Sequence, residues 1–277
     1  MENLDKILQF ENREKKEKFD DLVVFTTTFY KDDEVSKIRA ALAEKFFDNV
    51  EKLNIKCVVV DGGSSQEFIN KIKQYKNISL IIESSLKMGE SRRKALEIAM
   101  NKIPEGINAS FLWVEPEKED LIKEESLKAM IEFLRGGKAD IVVPSRLSKE
   151  SYPKFQKWIE ERANKRAKQL LDKSGEDKLF ETELDLWFGP KMFNKEGAKF
   201  FLNYKGNLDK WDSIIKPVIE AQRAGKNIVS APVDFEYSQS QRQQEEGNIE
   251  FKIKRVEQYK QILTELGDLH WMSKKEK

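Results

Sequence analysis

Lys56-Cys57-Val58-Val59-Val60-Asp61-Gly62-Gly63-Ser64-Ser65 is the stretch of sequence that decides the fold. Its first half is a continuous apolar, β-branched run, which is typical of a strand covered on both faces of a sheet. Its second half places an acid and two glycines directly after that strand, and glycine permits the tight turn that precedes a helix. The stretch therefore predicts a buried strand, a turn and the start of a crossover helix.

The same pattern repeats along the chain, where short apolar runs alternate with longer segments of helical period. This alternation predicts an α/β protein with a mixed, mostly parallel sheet flanked by helices. The predicted strands are Leu22–Phe25, Lys56–Val60, Ile78–Ile82, Ala109–Val114, Asp140–Val143 and Ile228–Phe235. The predicted helices cover about 35–53, 91–102, 127–134, 150–180, 211–224 and 249–266.

The chain has no internal repeat and no clear linker, which indicates one continuous domain over residues 21–240. Residues 1–20 are rich in Lys and Glu and are expected to form an N-terminal arm or a surface helix. Residues 241–277 are expected to form a C-terminal helical extension, whose helix ends at Gly267 because glycine tolerates the left-handed conformation of a helix end. The polar segment 239–247 is expected to be mobile.

The amino-acid composition argues against several classes of protein, namely nucleic-acid-binding, disulfide-bonded and membrane-spanning proteins. The 50 basic and 49 acidic side chains leave a net charge of +1, so no long-range field favours nucleic acid or a membrane surface. The single cysteine, Cys57, lies in an apolar run, which excludes an intramolecular disulfide and indicates a buried, reduced thiol. The apolar runs are far shorter than the roughly 20 residues that span a bilayer. We expect a cytoplasmic protein without an integral membrane segment.

Polar residues follow the first and second predicted strands. Thr26 to Glu34 carries hydroxyls and carboxylates, and Asp61 comes directly after the second strand. In an open α/β sheet, ligands bind beyond the carboxyl ends of the strands, so both segments are candidate ligand contacts. Two structural alternatives stay open: Asp32 or Asp33 caps the next helix, and the glycines after Asp61 form an ordinary turn.

Charged residues follow the third and fourth predicted strands. The segment Lys87–Arg93 combines cations with the start of a helix, which suits a phosphate group and equally suits an ordinary capped helix. Glu115 and Glu117 leave the fourth strand two residues apart, and such oxygen ligands suit Mg²⁺ or Mn²⁺ bound together with substrate phosphates. The alternative is a solvated turn in which Pro116 ends the strand.

Taken in order over residues 20–240, these features resemble a family 2-type glycosyltransferase with the glycosyltransferase A fold. Asp61-Gly62-Gly63-Ser64 is similar to the family's Asp-Gly-Ser-Ser turn. The segment Gly89–Ala95 is similar to its Gly-x-x-x-Ala-x-Asn segment, with the Asn missing. Glu115-Pro116-Glu117 stands at its Asp-x-Asp position, with each acid one methylene longer.

The resemblance implies a role for each candidate residue. Nucleotide-sugar contacts, within a nucleotide-binding part of about 21–118, fall on Thr26, Thr28, Tyr30, Asp61, Gly62, Gly89, Arg92 and Arg93. A Mn²⁺ or Mg²⁺ ion is expected to bind to Glu115 and Glu117. Acceptor contacts, within an acceptor part of about 119–240, fall on Trp187, Gly189 and Pro190. The catalytic base of an inverting enzyme falls on Asp212 or Asp209, with helix capping as the alternative role of Asp212.

The expected function is transfer of a sugar from a nucleoside diphosphate sugar to an unknown acceptor, assisted by a divalent metal. A sugar-1-phosphate nucleotidyltransferase is the first alternative, but Thr26-Thr27-Thr28-Phe29 lacks the glycine-rich loop of that class. A non-catalytic nucleotide-sugar-binding protein of the same fold is the second alternative.

Overall fold

The computed structural model describes residues 19–104, 107–148, 152–172, 184–206 and 212–275. In these residues seven strands form one sheet in the order β3-β2-β1-β4-β6-β5-β7. Strand β6 is antiparallel to β4 and β5, and the other neighbours pair in parallel, which confirms the predicted mixed, mostly parallel sheet. The strands are β1 (Leu22–Thr28), β2 (Lys56–Asp61), β3 (Ile78–Ile82), β4 (Ser110–Trp113), β5 (Ile141–Arg146), β6 (Lys191–Phe193) and β7 (Ile228–Val233).

Helices separate most of these strands along the chain. A short 3₁₀ turn, Glu119–Leu121, follows β4. The α-helices of the described residues are α1 (Glu34–Lys52), α2 (Gln66–Ile72), α3 (Met88–Asn101), α4 (Glu124–Arg135), α5 (Lys154–Asp172), α6 (Lys195–Asn203), α7 (Asp212–Arg223), α8 (Gln239–Glu245) and α9 (Ile249–Lys275).

Each face of the sheet has its own apolar core, because successive side chains of a strand point to opposite faces. Val24 of β1 packs in a cluster with Phe46 of α1 and Met130 of α4. Its neighbour Val23 packs in the opposite cluster, which includes Leu96 of α3 and residues of α6 and α7. The strands are therefore covered on both faces, as their continuous apolar runs predict.

The C-terminal region holds α8 and α9. The segment 239–247 contains α8, in which Gln241 donates a hydrogen bond of 3.2 Å to Glu245, and its expected mobility stays a prediction. The expectation that Gly267 ends the last helix is wrong, because α9 continues to Lys275. A glycine inside a helix costs only about 1 kcal/mol relative to alanine, and its helix-forming neighbours offset that cost.

Other differences concern short elements. The sequence pattern does not predict β6, since a strand of three residues is too short to show a period. The described part of the helix expected at 150–180 is α5. Residues 1–18 lie outside the described ranges, and the expected domain boundaries stay predictions.

Cys57 is buried in β2 as predicted, and burial raises the pKa of its thiol. Across the described residues, no helix is both long and apolar enough to cross a membrane. The cytoplasmic location stays an expectation.

Candidate functional site

The carboxyl ends of β1, β2 and β4 meet at one edge of the sheet, because these strands are parallel neighbours. In the register of the sheet, Thr28 lies beside Asp61, and Phe25 lies beside Trp113. The polar segments that follow these strands are therefore brought together, as the sequence predicts. This edge is the candidate functional site.

Asp61 lies at the centre of the β1–β2 part of this edge and is fully buried. One carboxylate oxygen, Oδ2, accepts hydrogen bonds from Thr28 Oγ1 at 2.7 Å and from Ser64 Oγ at 2.5 Å. The other, Oδ1, accepts from the backbone N–H groups of Gly63 and Ser64, both at 2.9 Å. A carboxylate has about four acceptor positions, so these bonds fill them. Asp61 holds the turn together, and its expected contact with a nucleoside base stays a prediction.

The segment after β1 is tied to its neighbours by hydrogen bonds. Thr26 Oγ1 donates to the carbonyl oxygen of Val114 at 2.7 Å, which joins β1 to the end of β4. The backbone N–H of Tyr30 donates to Ser64 Oγ at 2.8 Å, and that of Gly62 donates to the carbonyl oxygen of Thr28 at 2.8 Å. These residues form a rigid floor for the site.

Glu117 is buried and has a cationic partner on α1. Arg39 Nε lies 2.9 Å from Glu117 Oε1, and the negative charge of Glu117 raises the pKa of Arg39. Burial, together with the same carboxylate, raises the pKa of the Tyr30 hydroxyl well above its usual value. The Glu117 carboxylate is therefore paired with Arg39 and close to the Tyr30 hydroxyl.

Glu115 has a different cationic partner. Lys118 Nζ lies 2.8 Å from Glu115 Oε2, and the Lys118 N–H donates to the Glu115 carbonyl at 2.9 Å, which closes a turn. Burial alone would raise the pKa of Glu115, but Lys118 and Arg92 together hold it below its ordinary value. Gly189 faces the carboxylate, because a Cβ added there would lie 2.7 Å from Oε2 and closer still to Oε1.

Arg92, in the first turns of α3, is a buried cation beside Glu115. Its Nη1 donates to Ser213 Oγ at 3.0 Å and its guanidinium lies 4.5 Å from the centre of the Trp113 ring, whereas its Nε has no hydrogen-bond partner among the described residues. Burial lowers the pKa of Arg92 to about 10. Within the described residues no carboxylate lies at ion-pair distance from it. Arg92 therefore keeps a charge that a bound anion can neutralise.

A small cleft with a cavity volume of about 20 Å³ lies beside Arg92. The first turns of α3 and α7 both line it, and the N-terminus of a helix attracts anions through its free N–H groups. Arg93 joins this wall and donates a hydrogen bond to the carbonyl oxygen of Tyr204. The lining residues are Phe25, Gly89, Arg92, Arg93, Leu96, Trp113, Phe201, Ser213 and Ile214.

Solved structures with the same arrangement of elements belong to nucleotide-sugar transferases. Glucosyl-3-phosphoglycerate synthase from Mycobacterium tuberculosis, in complex with Mn²⁺ and uridine-diphosphate-glucose, has a TM-score of 0.57 at 12% identity, covering 89% of this chain and 79% of that chain. Its complex that also contains phosphoglyceric acid has a TM-score of 0.57 at 11% identity, with the same coverage. This chain has the glycosyltransferase A fold. No family model and no curated protein matches the sequence.

At this level of identity the likeness shows the fold, and activity has to be inferred from the site. In a glycosyltransferase A fold the expected acceptor loop is the one that contains Trp187, Gly189 and Pro190. Lys191, fully buried, donates to the carbonyl oxygens of Leu186 at 3.4 Å, Phe188, Gly189 at 3.5 Å and Pro190 at 3.2 Å. Burial lowers the pKa of its amine to about 7.

Lys191 therefore fixes the shape of this loop from beneath. The sequence pattern does not indicate that role, because a lysine in a short strand normally faces water. Trp187 lies with its ring centre 6.3 Å from that of Tyr259 on α9, whereas Gly189 faces Glu115. Of the three predicted acceptor residues, the structure brings Gly189 into contact with the candidate site.

A buried ion cluster lies on the other side of the same loop. Arg146, at the end of β5, pairs with Asp185 at 2.9 Å and with Glu160 of α5 at 2.7 Å, and its side chain is 2% exposed. The guanidinium also lies 4.2 Å from the centre of the Phe188 ring. Sequence reasoning missed this cluster, although a charged residue at the end of an apolar strand is a signal that could have found it.

The predicted catalytic bases are described only in part. Asp212 is the first residue of α7, whose first turn lines the cleft. Asp209 lies outside the described residues. Both assignments stay predictions, as does the capping role of Asp212.

The fit of a divalent metal to Glu115 and Glu117 can be judged from their partners. Each carboxylate is already paired with a side-chain cation of its own, Lys118 or Arg39. In the described ranges, no three His, Cys, Asp or Glu side chains come together in a group that could hold a metal ion. The two glutamates as they stand do not form a shared metal site.

Proposed function

We propose that this chain transfers a sugar from a nucleoside diphosphate sugar to an acceptor hydroxyl. The observation that carries the proposal is Arg92, a buried arginine to which the described residues bring no carboxylate within ion-pair distance, on the wall of a cleft between the sheet and the starts of α3 and α7. A buried charge that no carboxylate pairs directly is costly, so its presence favours a site for an anionic ligand.

The chemistry of glycosyl transfer explains why such a charge is useful. The acceptor oxygen forms a bond to the anomeric carbon while the bond from that carbon to the diphosphate oxygen breaks. Negative charge then grows on the departing diphosphate, and a fixed cation beside it stabilises the transition state. Arg92 and the N–H groups at the starts of α3 and α7 supply this stabilisation in the proposed reaction.

The remaining residues take roles that follow from their positions. Thr26, Thr28, Tyr30 and Asp61, with Gly62, shape the floor on which the nucleoside is proposed to lie. Asp212 or Asp209 is proposed to accept the proton of the acceptor hydroxyl if the enzyme inverts configuration.

The solved neighbours contain Mn²⁺ together with the nucleotide, which supports the sequence expectation of a divalent metal. The ion pairs of Glu115 and Glu117 oppose it. No step of the proposed reaction is assigned to that ion.

The proposal is tested by incubating the purified protein with a panel of nucleoside diphosphate sugars and measuring release of the nucleoside diphosphate. UDP-glucose is the first donor and phosphoglyceric acid the first acceptor, because the solved neighbours contain them. We expect turnover of at least one donor, with release of the diphosphate product. Release of pyrophosphate from a nucleoside triphosphate and a sugar phosphate would favour a nucleotidyltransferase, and donor binding without turnover would favour a binding protein.

Replacing Arg92 by methionine is expected to lower kcat/KM by about 100-fold, because one electrostatic donor to the transition state is removed. Arg162→Met is the matched control, since the Arg162 guanidinium also lies over a tryptophan ring, that of Trp158, but at the exposed surface of α5. Steady-state kinetics of the two variants measures the difference. Equal rates in both variants and the wild type would remove Arg92 from the proposed reaction.

Gly189→Ala is expected to lower kcat/KM by about 10-fold, since displacing a group of the site by a fraction of an ångström is enough to misplace the reactants. The added Cβ displaces the Glu115 carboxylate, which positions Lys118 and neighbours Arg92. Because the displaced group is the end of a side chain, thermal unfolding is expected to change little. A large loss of stability at unchanged activity would show that Gly189 serves packing alone.

A further inference from the structure

We infer that this chain binds the diphosphate of its donor without a divalent metal ion, using Lys118 and Arg92 as the positive charges. This inference rests on the proposed function and goes beyond it, because it names the side chains that supply the positive charge otherwise supplied by a metal. It departs from the expectation that Glu115 and Glu117 hold Mn²⁺ or Mg²⁺.

The first observation is the pairing of Glu115 with Lys118. The two side chains are 21% and 19% exposed, and the ammonium lies 2.8 Å from the carboxylate. The turn that brings them together is closed by its own backbone hydrogen bond, so the lysine is held at this position by the chain itself. A lysine ammonium has three N–H donors, and one carboxylate oxygen occupies one of them. The others are available to phosphate oxygens.

The second observation is that Glu117 is paired elsewhere. Its partner Arg39 belongs to α1, whereas Glu115 is paired within its own turn and faces Gly189. Each ion pair occupies one carboxylate oxygen, so a metal bound by both glutamates would lie close to both of their cations, which repel it. Mg²⁺ and Mn²⁺ also prefer several oxygen ligands around one centre, which these separately paired carboxylates do not provide.

The third observation is the balance of charge. Lys118 and Arg92 both lie near Glu115, whereas Arg39 is paired with Glu117. Buried Lys191 lies near enough for Glu115 to raise the pKa of its amine, which burial lowers. Two cations beside the single carboxylate of Glu115 favour an anion over a further cation at this point. Arg92 contributes most directly, because its side chain lines the cleft and its Nε has no hydrogen-bond partner among the described residues.

The test is calorimetric titration of the chelator-treated protein with UDP, GDP and inorganic pyrophosphate, in EDTA and then in Mn²⁺. Pyrophosphate probes the cation group independently of any base. We expect at least one probe to bind in EDTA, with an affinity that Mn²⁺ changes by less than about threefold. Lys118→Met and Arg92→Met are each expected to weaken binding in EDTA by about tenfold or more.

Lys123→Met is the matched control, because Lys123 pairs with Asp120 at the same three-residue spacing as Lys118 with Glu115, but is half exposed. It is expected to bind like the wild type. Binding that appears only with Mn²⁺ would overturn this inference and leave the proposed function standing. Absence of binding in both conditions would overturn both. Wild-type affinity in Lys118→Met and Arg92→Met in EDTA would also overturn the inference.

Discussion

Replacing Asp185 by asparagine is expected to lower the free energy of unfolding by about 3 kcal/mol, as does the loss of one partner from a buried ion pair. Asp185 pairs with Arg146 through two oxygens, at 2.9 and 3.2 Å, and also accepts hydrogen bonds from Tyr152 and Asn164, both at 3.1 Å. The substitution leaves the buried guanidinium of Arg146 with Glu160 as its remaining anion.

Urea unfolding of the wild type and Asp185→Asn at neutral pH measures this loss. Glu196→Gln is the control, because Glu196 pairs with Lys199 on the surface, and exposed pairs contribute little. A change no larger than that of the control would show that the Arg146 cluster does not stabilise the fold.

The stability difference between the wild type and Asp185→Asn is also expected to depend on pH. Burial alone would raise the pKa of Asp185, but Arg146 and its other partners hold it below its ordinary value. The unfolded chain therefore binds a proton more readily than the folded chain, and the stabilisation by Asp185 is lost as pH falls through its folded pKa. We expect the difference between wild type and Asp185→Asn to be constant near neutral pH and to shrink under acid conditions.

Gly197→Ala is expected to lower the free energy of unfolding by about 3 kcal/mol, at the upper end of the usual effect of overpacking. Gly197 lies in the first turn of α6, where its N–H donates to Asn194 Oδ1 at 2.8 Å. An added Cβ would lie 2.8 Å from Ile141 Cγ1 and closer still to the carbonyl oxygen of Asp140. Because that carbonyl belongs to the backbone beside β5, the helix has to move away from the sheet.

Chemical denaturation of Gly197→Ala beside Gly62→Ala checks this prediction. A Cβ at Gly62 would have its nearest neighbour at 3.5 Å, an ordinary contact, so that variant is expected to unfold like the wild type. Similar stability of the two variants would mean that α6 moves away from the sheet without loss of packing.

Much of the fold could be predicted because buried strands and helices show apolar runs and periods in the local sequence. The apolar run that ends at Asp61 became β2, and alternate residues of β1 pack on opposite faces of the sheet, as strand geometry requires. Strand β6 escaped prediction because its place between β4 and β5 depends on pairing across the sheet. A strand of three residues is too short for this pairing to produce a visible alternation of apolar and polar residues.

The candidate site was predictable as a place and much less as a set of contacts. Anion binding by Arg92 could be predicted because this residue follows a strand and lies near the start of a helix. Its contact with Ser213, 121 residues later in the chain, could not be foreseen. Glu115 and Glu117 resemble a metal-binding pair in sequence, yet each is paired with a different cation in the structure.

By itself the sequence determined the glycosyltransferase A type of sheet and the polar residues at the ends of its strands, because apolar periodicity and turn residues act locally. The tertiary structure decided which charges meet. Within the described residues it left Arg92 without a carboxylate at ion-pair distance, paired Glu117 with Arg39 and buried Arg146 between Asp185 and Glu160. The physical reason is that ion pairing and burial depend on distances through space, and most of these partners come from distant parts of the chain.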